Sequence, residues 1–226
     1  MVLSAKGGLA PQADAALDEL CRTYWYPLYA YVRRRGNTRQ DAEDLTQDFF
    51  ARLLGKNYLA SVDRGRGKFR AFLLATLKNF LANEWDRSRR QKRGGGAMIL
   101  SLDWQDADSR YEVEPPDKLS PDKLFDRAWA VTLLERVVTR LRGEYAGDRK
   151  AAIFEQLHPF LMLGKNAIPY PDAARSLGLT EGAVRVAVHR LRRRYRELLR
   201  DEVGQTLADA ASIDEEMNAL LGAFAA

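Results

Sequence analysis

Apolar residues recur along this chain mainly at intervals of three and four, the period of helices with one buried face. Leu17, Leu20, Cys21, Tyr24, Leu28, Tyr31 and Val32 mark a first amphipathic helix, which Gly36 and Asn37 bring to a reversal. Thr38 opens a second helix, with Asp41 three places on as a variant capping box and Ala42, Leu45, Phe49, Phe50 and Leu53 facing inward. After a glycine-rich basic loop, SVDRGRGKFR, a third helix carries Phe69, Phe72, Leu73, Ala75, Leu77, Phe80, Leu81 and Trp85 and runs into the bases RSRRQKR. No β-hairpin signal interrupts this half, so the expected fold class is all-α.

Proline, glycine and acidic residues then concentrate between Gly94 and Pro121, where neither a helical period nor a sustained alternation can be followed. This stretch is expected to be a flexible acidic linker, over 96–122, between two small helical domains at 10–95 and 123–203. In the second domain Leu124, Phe125, Ala128, Val131, Leu134, Val137, Val138 and Leu141 keep helical spacing, and a further apolar segment runs from Ala151 to Leu163. Pro169 and Pro171 break the pattern before a short helix, a glycine turn and a long basic helix. A tail at 204–226 holds Ser212 and Glu215 at capping-box spacing, followed by an apolar stripe of Ile213, Met217, Leu220, Leu221 and Phe224. A stripe of that size predicts a helix docked on one of the two domains or on a regulator.

The segment PDAARSLGLTEGAVRVAVHRLRRRYREL has the plan of a helix-turn-helix: Ala173, Ala174 and Leu177 on one helix, Gly178 at the turn, and Leu179 and Val184 packing the second helix across the first. Thr180 is placed to cap that second helix, whose opening turns would lead Thr180, Glu181, Arg185, Val186 and His189 into a major groove. Arg190, Arg192, Arg193, Arg194 and Arg196 spread around it and suit phosphates better than bases. The plainer alternative is a solvated basic helix that packs only within its own domain.

Charge sharpens this picture at one place. The 226-residue chain has a net charge of +5, yet Asp41, Asp44 and Asp48 lie along one stripe of the second helix, away from the Leu45 and Phe49 face. Such a stripe is either a solvated face or a surface for a partner that presents arginines. Neither a histidine, a nucleophile nor a phosphate-cradling loop accompanies it, which argues against catalysis and against a metal-dependent nucleic-acid enzyme. On the third helix, aromatics interleave with Lys68, Arg70, Lys78 and Asn79, an arrangement that fits a buried face and equally the stacking surfaces of single-strand binders. One cysteine, Cys21, excludes an internal disulfide, and with His158 and His189 it makes no zinc-spaced ligand set. No apolar run reaches membrane-spanning length, so the expectation is a soluble cytoplasmic protein without a cofactor or a membrane partner.

Three segments in order, DAEDLTQDFFARLL, FRAFLLATLKNFLANEWDRSRRQKR and AARSLGLTEGAVRVAVHRLRRRY, resemble the sigma-70 family of bacterial RNA polymerase sigma factors, in its two-domain extracytoplasmic function group. The resemblance implies a non-enzymatic transcription initiation factor whose partners are core RNA polymerase, through the β′ clamp helices and the β flap, and promoter DNA, both as duplex and as non-template single strand. It implies that Asp41, Glu43, Asp44, Gln47 and Asp48 meet the clamp. Arg66, Lys68, Phe69, Arg70, Lys78 and Asn79 would capture a base flipped from the minus-ten element, with Arg87, Arg89 and Arg90 on the adjoining phosphates. Thr180, Glu181, Arg185, Val186, His189 and Arg190 would read the minus-thirty-five element. The linker acids Asp103, Asp106, Asp108, Glu112, Glu114 and Asp117, against Arg110, resemble the connector that lies along the polymerase RNA path. An anti-sigma protein is the kind of regulator the resemblance brings with it. The residue-level alternative is a free-standing helix-turn-helix regulator that binds duplex DNA without polymerase. Val186 and Ala187 stand where the family often has serine and arginine, and the stretch from Gly143 to Tyr170 is longer than usual.

Overall fold

Residue Tyr24 and the run from Tyr26 to Val32 are fully or almost fully buried, although they occupy more than two turns of a single helix. A helical stretch buried at so many successive positions must be covered from several directions at once, and the rest of its unit supplies that cover. In this computed structural model, residues 10–55, 69–88, 104–113, 119–162, 169–207 and 210–224 are described. Their order is α1 (Ala10–Arg34), α2 (Arg39–Gly55), α3 (Phe69–Ser88), α4 (Trp104–Val113), α5 (Pro121–Glu144), α6 (Asp148–Leu157), α7 (Pro159–Met162), α8 (Tyr170–Leu177), α9 (Glu181–Gln205), a 3₁₀ turn (Ala210–Ser212) and α10 (Ile213–Gly222). No strand occurs among the described residues, and no helix there is long and apolar enough to cross a membrane.

Packing groups Met1–Thr132 with Val203–Ala226 as one unit and Leu133–Glu202 as a second. The division falls inside α5 rather than ahead of it, and the C-terminal tail belongs with the first unit. In that unit α1 lies against α2 and α4. It reaches α3 through Tyr24, whose ring meets Phe69 edge-on at 5.6 Å. Helix α3 turns Leu73, Leu77 and Phe80 inward, and Phe80 meets Phe49 of α2 at 5.7 Å. Each of these large side chains contributes about 1.5–3 kcal/mol on burial. Burial also pushes the Tyr24 phenol well above its ordinary range, which keeps it protonated.

Helix α4 is a departure from expectation, because it stands inside the stretch read as a flexible linker. Its own pattern is weak, and its partners are what hold it: Ala107 is buried, Arg110 lies 4.4 Å over the Tyr26 ring, and Arg33 of α1 lies 4.9 Å over Tyr111. Arg110 thus stacks on an aromatic face. Of the acids expected along this stretch, Glu112 is exposed, while Asp103, Glu114 and Asp117 and the side chains of Asp106 and Asp108 lie outside the described residues.

The tail forms a helix, as its stripe predicts, but not in the orientation the stripe implies. Leu220 is buried whereas Leu221 and Phe224 are exposed, and the buried position beside Leu220 is taken by Glu216. Ser212 makes no side-chain cap bond, so the expected capping box is absent. The 3₁₀ turn that leads into α10 holds Ser212 at φ −88° and ψ 1°, away from the extended geometry a capping side chain needs.

In the second unit, Phe154, Leu157 and Phe160 of α6 and α7 are buried, as are Val184, Val188 and Leu191 of α9. Pro159 starts a new helix after the one that ends at Leu157, which splits the apolar segment expected from Ala151 to Leu163. Glu202 is buried, and its carboxylate accepts from Arg136 at 3.2 Å and from Arg140 at 2.6 Å. Arg194 of α9 likewise holds Glu144 of α5 at 2.6 Å. Leu28→Ala should lower the unfolding free energy of the first unit by about 2–5 kcal/mol, measured by denaturant titration, because Leu28 is fully buried among packed neighbours.

Candidate functional site

Helix α2 begins as its sequence requires. The Asp41 amide donates to Thr38 Oγ1 at 3.2 Å, and the Thr38 hydroxyl donates to the Asp41 carboxylate at 2.7 Å. With Ala42, Phe49, Phe50 and Leu53 buried, Asp41 and Asp44 are left exposed and Asp48 half-buried. Glu43 leans the other way and pairs with Arg39 at 2.8 Å, while Gln47 is half-buried.

Asp41 and Asp44 form part of the wall of a cavity of about 770 Å³ between α2 and α3. Facing them are Lys78 and Trp85, with Arg35 and Leu81 also in the lining. Trp85 is 64% exposed, although its spacing placed it on the buried face of α3. With Glu84 also in the lining, the cavity joins three carboxylates, two cations and a large aromatic surface, a combination that fits a basic polypeptide on one wall and a base or aromatic ring on the other. Spacing alone gives no signal for Trp85, since position 85 continues the stripe of Leu73, Leu77 and Phe80.

The other candidates on α3 divide sharply. Phe69 is a core residue, packed on Tyr24 and buried, so its ring does not present a stacking face. Asn79 is exposed. Lys78 pairs with Asp122 at the start of α5 and lies 5.9 Å from the Tyr31 ring centroid. That hydrogen bond to Asp122 raises the Lys78 pKa. Arg70 is 13% exposed and binds two carboxylates, Asp126 of α5 and Glu216 of α10, the latter at 3.0 Å. Its guanidinium also lies 4.4 Å over the Trp129 ring. Burial pushes the Asp126 carboxyl above its ordinary range, and the attraction of Arg70 opposes this only in part. Arg66, Lys68, Arg89 and Arg90 and the side chain of Arg87 lie outside the described residues.

The second unit contains the expected helix-turn-helix. Gly178 sits at φ 63° as the left-handed residue after α8, and the Leu179 amide returns to the Ala174 carbonyl at 3.0 Å, closing a Schellman turn. Thr180 caps α9 by accepting from the Ala183 amide at 3.2 Å. Ala173, Ala174, Val184 and Val188 are buried between the helices, whereas Leu179, expected to join them, is exposed. Thr180, Glu181, Arg185, Val186, His189 and Arg190 are all exposed. Arg185 is engaged by Glu181 at 2.5 Å and lies 4.4 Å over the Tyr170 ring. Tyr170, at the start of α8, escaped the sequence reading because it stands between two prolines outside any period. Two of the arginines expected on phosphates have structural partners instead: Arg192 donates to the Phe160 carbonyl at 2.7 Å, and Arg194 to Glu144.

The first unit thus offers an acidic helix face beside a basic, aromatic one, and the second a capped helix with an exposed polar face. Residues 20–91 match the family model of sigma-70 region 2, which spans α1, α2 and α3. Over that stretch the chain is similar to sigma-70 region 2, which supports a relationship to the sigma-70 family and a role in transcription initiation. No solved structure gives a significant match to the chain.

Two outcomes follow for the helix-turn-helix. Thr180→Ala should destabilise the second unit by about 1 kcal/mol, read from the shift in its denaturation midpoint. Arg194 holds the Glu144 carboxyl below its ordinary range through their hydrogen bond. A carboxyl lowered in the folded state adds stability above its unfolded pKa, and that stability is lost as pH falls through the folded pKa. Glu144→Gln should therefore flatten the acid limb of the stability profile below about pH 4–5 and leave stability under more acidic conditions unchanged, as followed by thermal melting across pH.

Proposed function

We propose that this chain is a sigma factor of the extracytoplasmic function group, which binds core RNA polymerase and directs it to promoters. The observation that carries the reading is that the region 2 match falls on the three helices that place exposed Asp41 and Asp44 opposite Lys78 and Trp85. In this reading the acids of α2 dock on arginines of the β′ clamp helices, with Asp41 and Asp44 as the central pair and Glu43, Gln47 and Asp48 at the margin. Opposite charges across such a surface set orientation and association rate more than raw affinity.

Helix α3 would face the minus-ten element, with Arg70, Lys78 and Asn79 on the opened strand and Trp85 as a stacking surface in place of the buried Phe69. Flipping a base costs a few kcal/mol of stacking, which an exposed indole can offset in part. Helix α9 would enter the major groove at the minus-thirty-five element through Thr180, Glu181, Arg185, Val186, His189 and Arg190. Arg185 is held there by Glu181 and Tyr170, so its reach toward a guanine is pre-organised in direction but requires the Glu181 pair to open. The protein performs no chemistry of its own in this role; melting is driven by binding energy to the opened strand.

Run-off transcription with bacterial core polymerase on a library of genomic promoter fragments tests the proposal. The wild type should give discrete starts, and Asp41→Arg/Asp44→Arg should reduce them at least about tenfold through like-charge repulsion at the clamp. Thermal melting of the double variant controls for the altered capping box. Absence of starts from the wild type, combined with sequence-specific duplex binding by the chain alone, would replace the reading with a free-standing helix-turn-helix regulator.

A further inference from the structure

The two basic side chains of α3 that are described in full, Arg70 and Lys78, are both occupied by acids from the C-terminal side of the chain. Asp122 and Asp126 come from the first turns of α5 and Glu216 from α10. The bases stand eight residues apart, about 12 Å along the helix axis at 1.5 Å per residue. Two carboxylates converge on the single Arg70, which reproduces in protein the arrangement of anionic oxygens a phosphate would bring.

Structural need does not account for this arrangement well. Glu216 is 1% exposed and sits beside buried Leu220 on the docked side of α10, where an apolar side chain would hold the helix without the cost of burying a charge. Asp126 is held at a cost too, since burial raises its carboxyl against the pull of Arg70. What the charges do provide is a dependence on the anion: a docking built on Arg70 is weakened by anything else that binds Arg70. Elsewhere on α10, Leu220 is buried and Ile213 lies close to Gly204, while Leu221 and Phe224 are exposed.

We propose that α10, through Glu216, together with Asp122 and Asp126 of α5, is an intramolecular block that keeps Arg70 and Lys78 from the phosphates of single-stranded DNA in the free chain. The inference rests on the reading of α3 as a nucleic-acid face. Strand binding and tail docking are then mutually exclusive at Arg70, and whatever lifts the tail licenses the strand contact. By reciprocity, single-stranded DNA weakens the hold on the tail by the same factor.

The test uses the full-length chain and a fluorescent single-stranded DNA of about 12 nucleotides, within the site sizes of single-strand binders. Binding is followed by anisotropy across a salt series, with tail release read in parallel by hydrogen exchange at α10. Glu216→Gln removes the carboxylate, and Leu220→Asp expels the helix by burying a new charge while leaving Glu216 in place. Each should tighten binding about five- to tenfold and steepen the salt dependence by about one phosphate contact. Adding Arg70→Ala to Glu216→Gln should abolish the gain. The block is overturned if both variants show a released α10 yet bind as the wild type does, or if the gain survives Arg70→Ala. Run-off transcription separates this outcome from the function itself: a gain in strand binding without promoter starts would retain the block and refute the sigma-factor reading.

Discussion

The first unit depends on the buried stretch of α1 from Tyr26 to Val32. Every position in it is buried, so α2, α3 and α4 must all be present for the helix to be stable. This constraint explains why the polar chemistry of the unit lies on the outer surfaces of α2 and α3. Every residue that faces α1 is committed to covering it, and function is confined to the far sides of the covering helices. It also explains α4, a helix whose own sequence is unpersuasive but which closes a side of α1 by laying Arg110 on Tyr26 and accepting Arg33 on Tyr111.

Electrostatics then separate the two outer surfaces. On α2 the capping demand of Thr38 and the inward commitment of Phe49 and Phe50 leave Asp41 and Asp44 exposed on the wall of a cavity. On α3 the opposite occurs, for Arg70 and Lys78 are engaged by acids that the sequence places about 45 to 145 residues away. The same helix therefore carries an exposed aromatic, Trp85, and cations engaged by carboxylates.

The second unit handles its cations differently. Arg136 and Arg140 on Glu202, Arg192 on the Phe160 carbonyl and Arg194 on Glu144 tie helices together. Burial of Tyr195 on the same helix pushes its phenol up to about 12 and so keeps it neutral. Only part of the basic run of α9 therefore remains as a polar face, on the side opened by the Thr180 cap. A count of arginines overstates the available charge, since guanidinium groups serve as readily for carbonyl and carboxylate cross-links as for phosphate.

Local chemistry was legible without coordinates wherever partners lie within a few residues. The Thr38 cap with Asp41, the turn at Gly178, the Thr180 cap and the inward faces of α2 and α3 all follow from spacing, because hydrogen bonds and side-chain periodicity within a helix act over three or four residues. The sequence by itself therefore determined an all-helical chain, the exposed position of Asp41 and Asp44, and a helix-turn-helix with its polar face outward. Only the tertiary structure decided that α1 is buried from Tyr26 to Val32, that Phe69 is core while Trp85 is surface, and that Glu216 is the buried residue of a stripe whose Leu221 and Phe224 face solvent. Those outcomes depend on which distant helix arrives at which face. An ion pair spanning the 146 residues between Arg70 and Glu216 leaves no trace in the period of either helix.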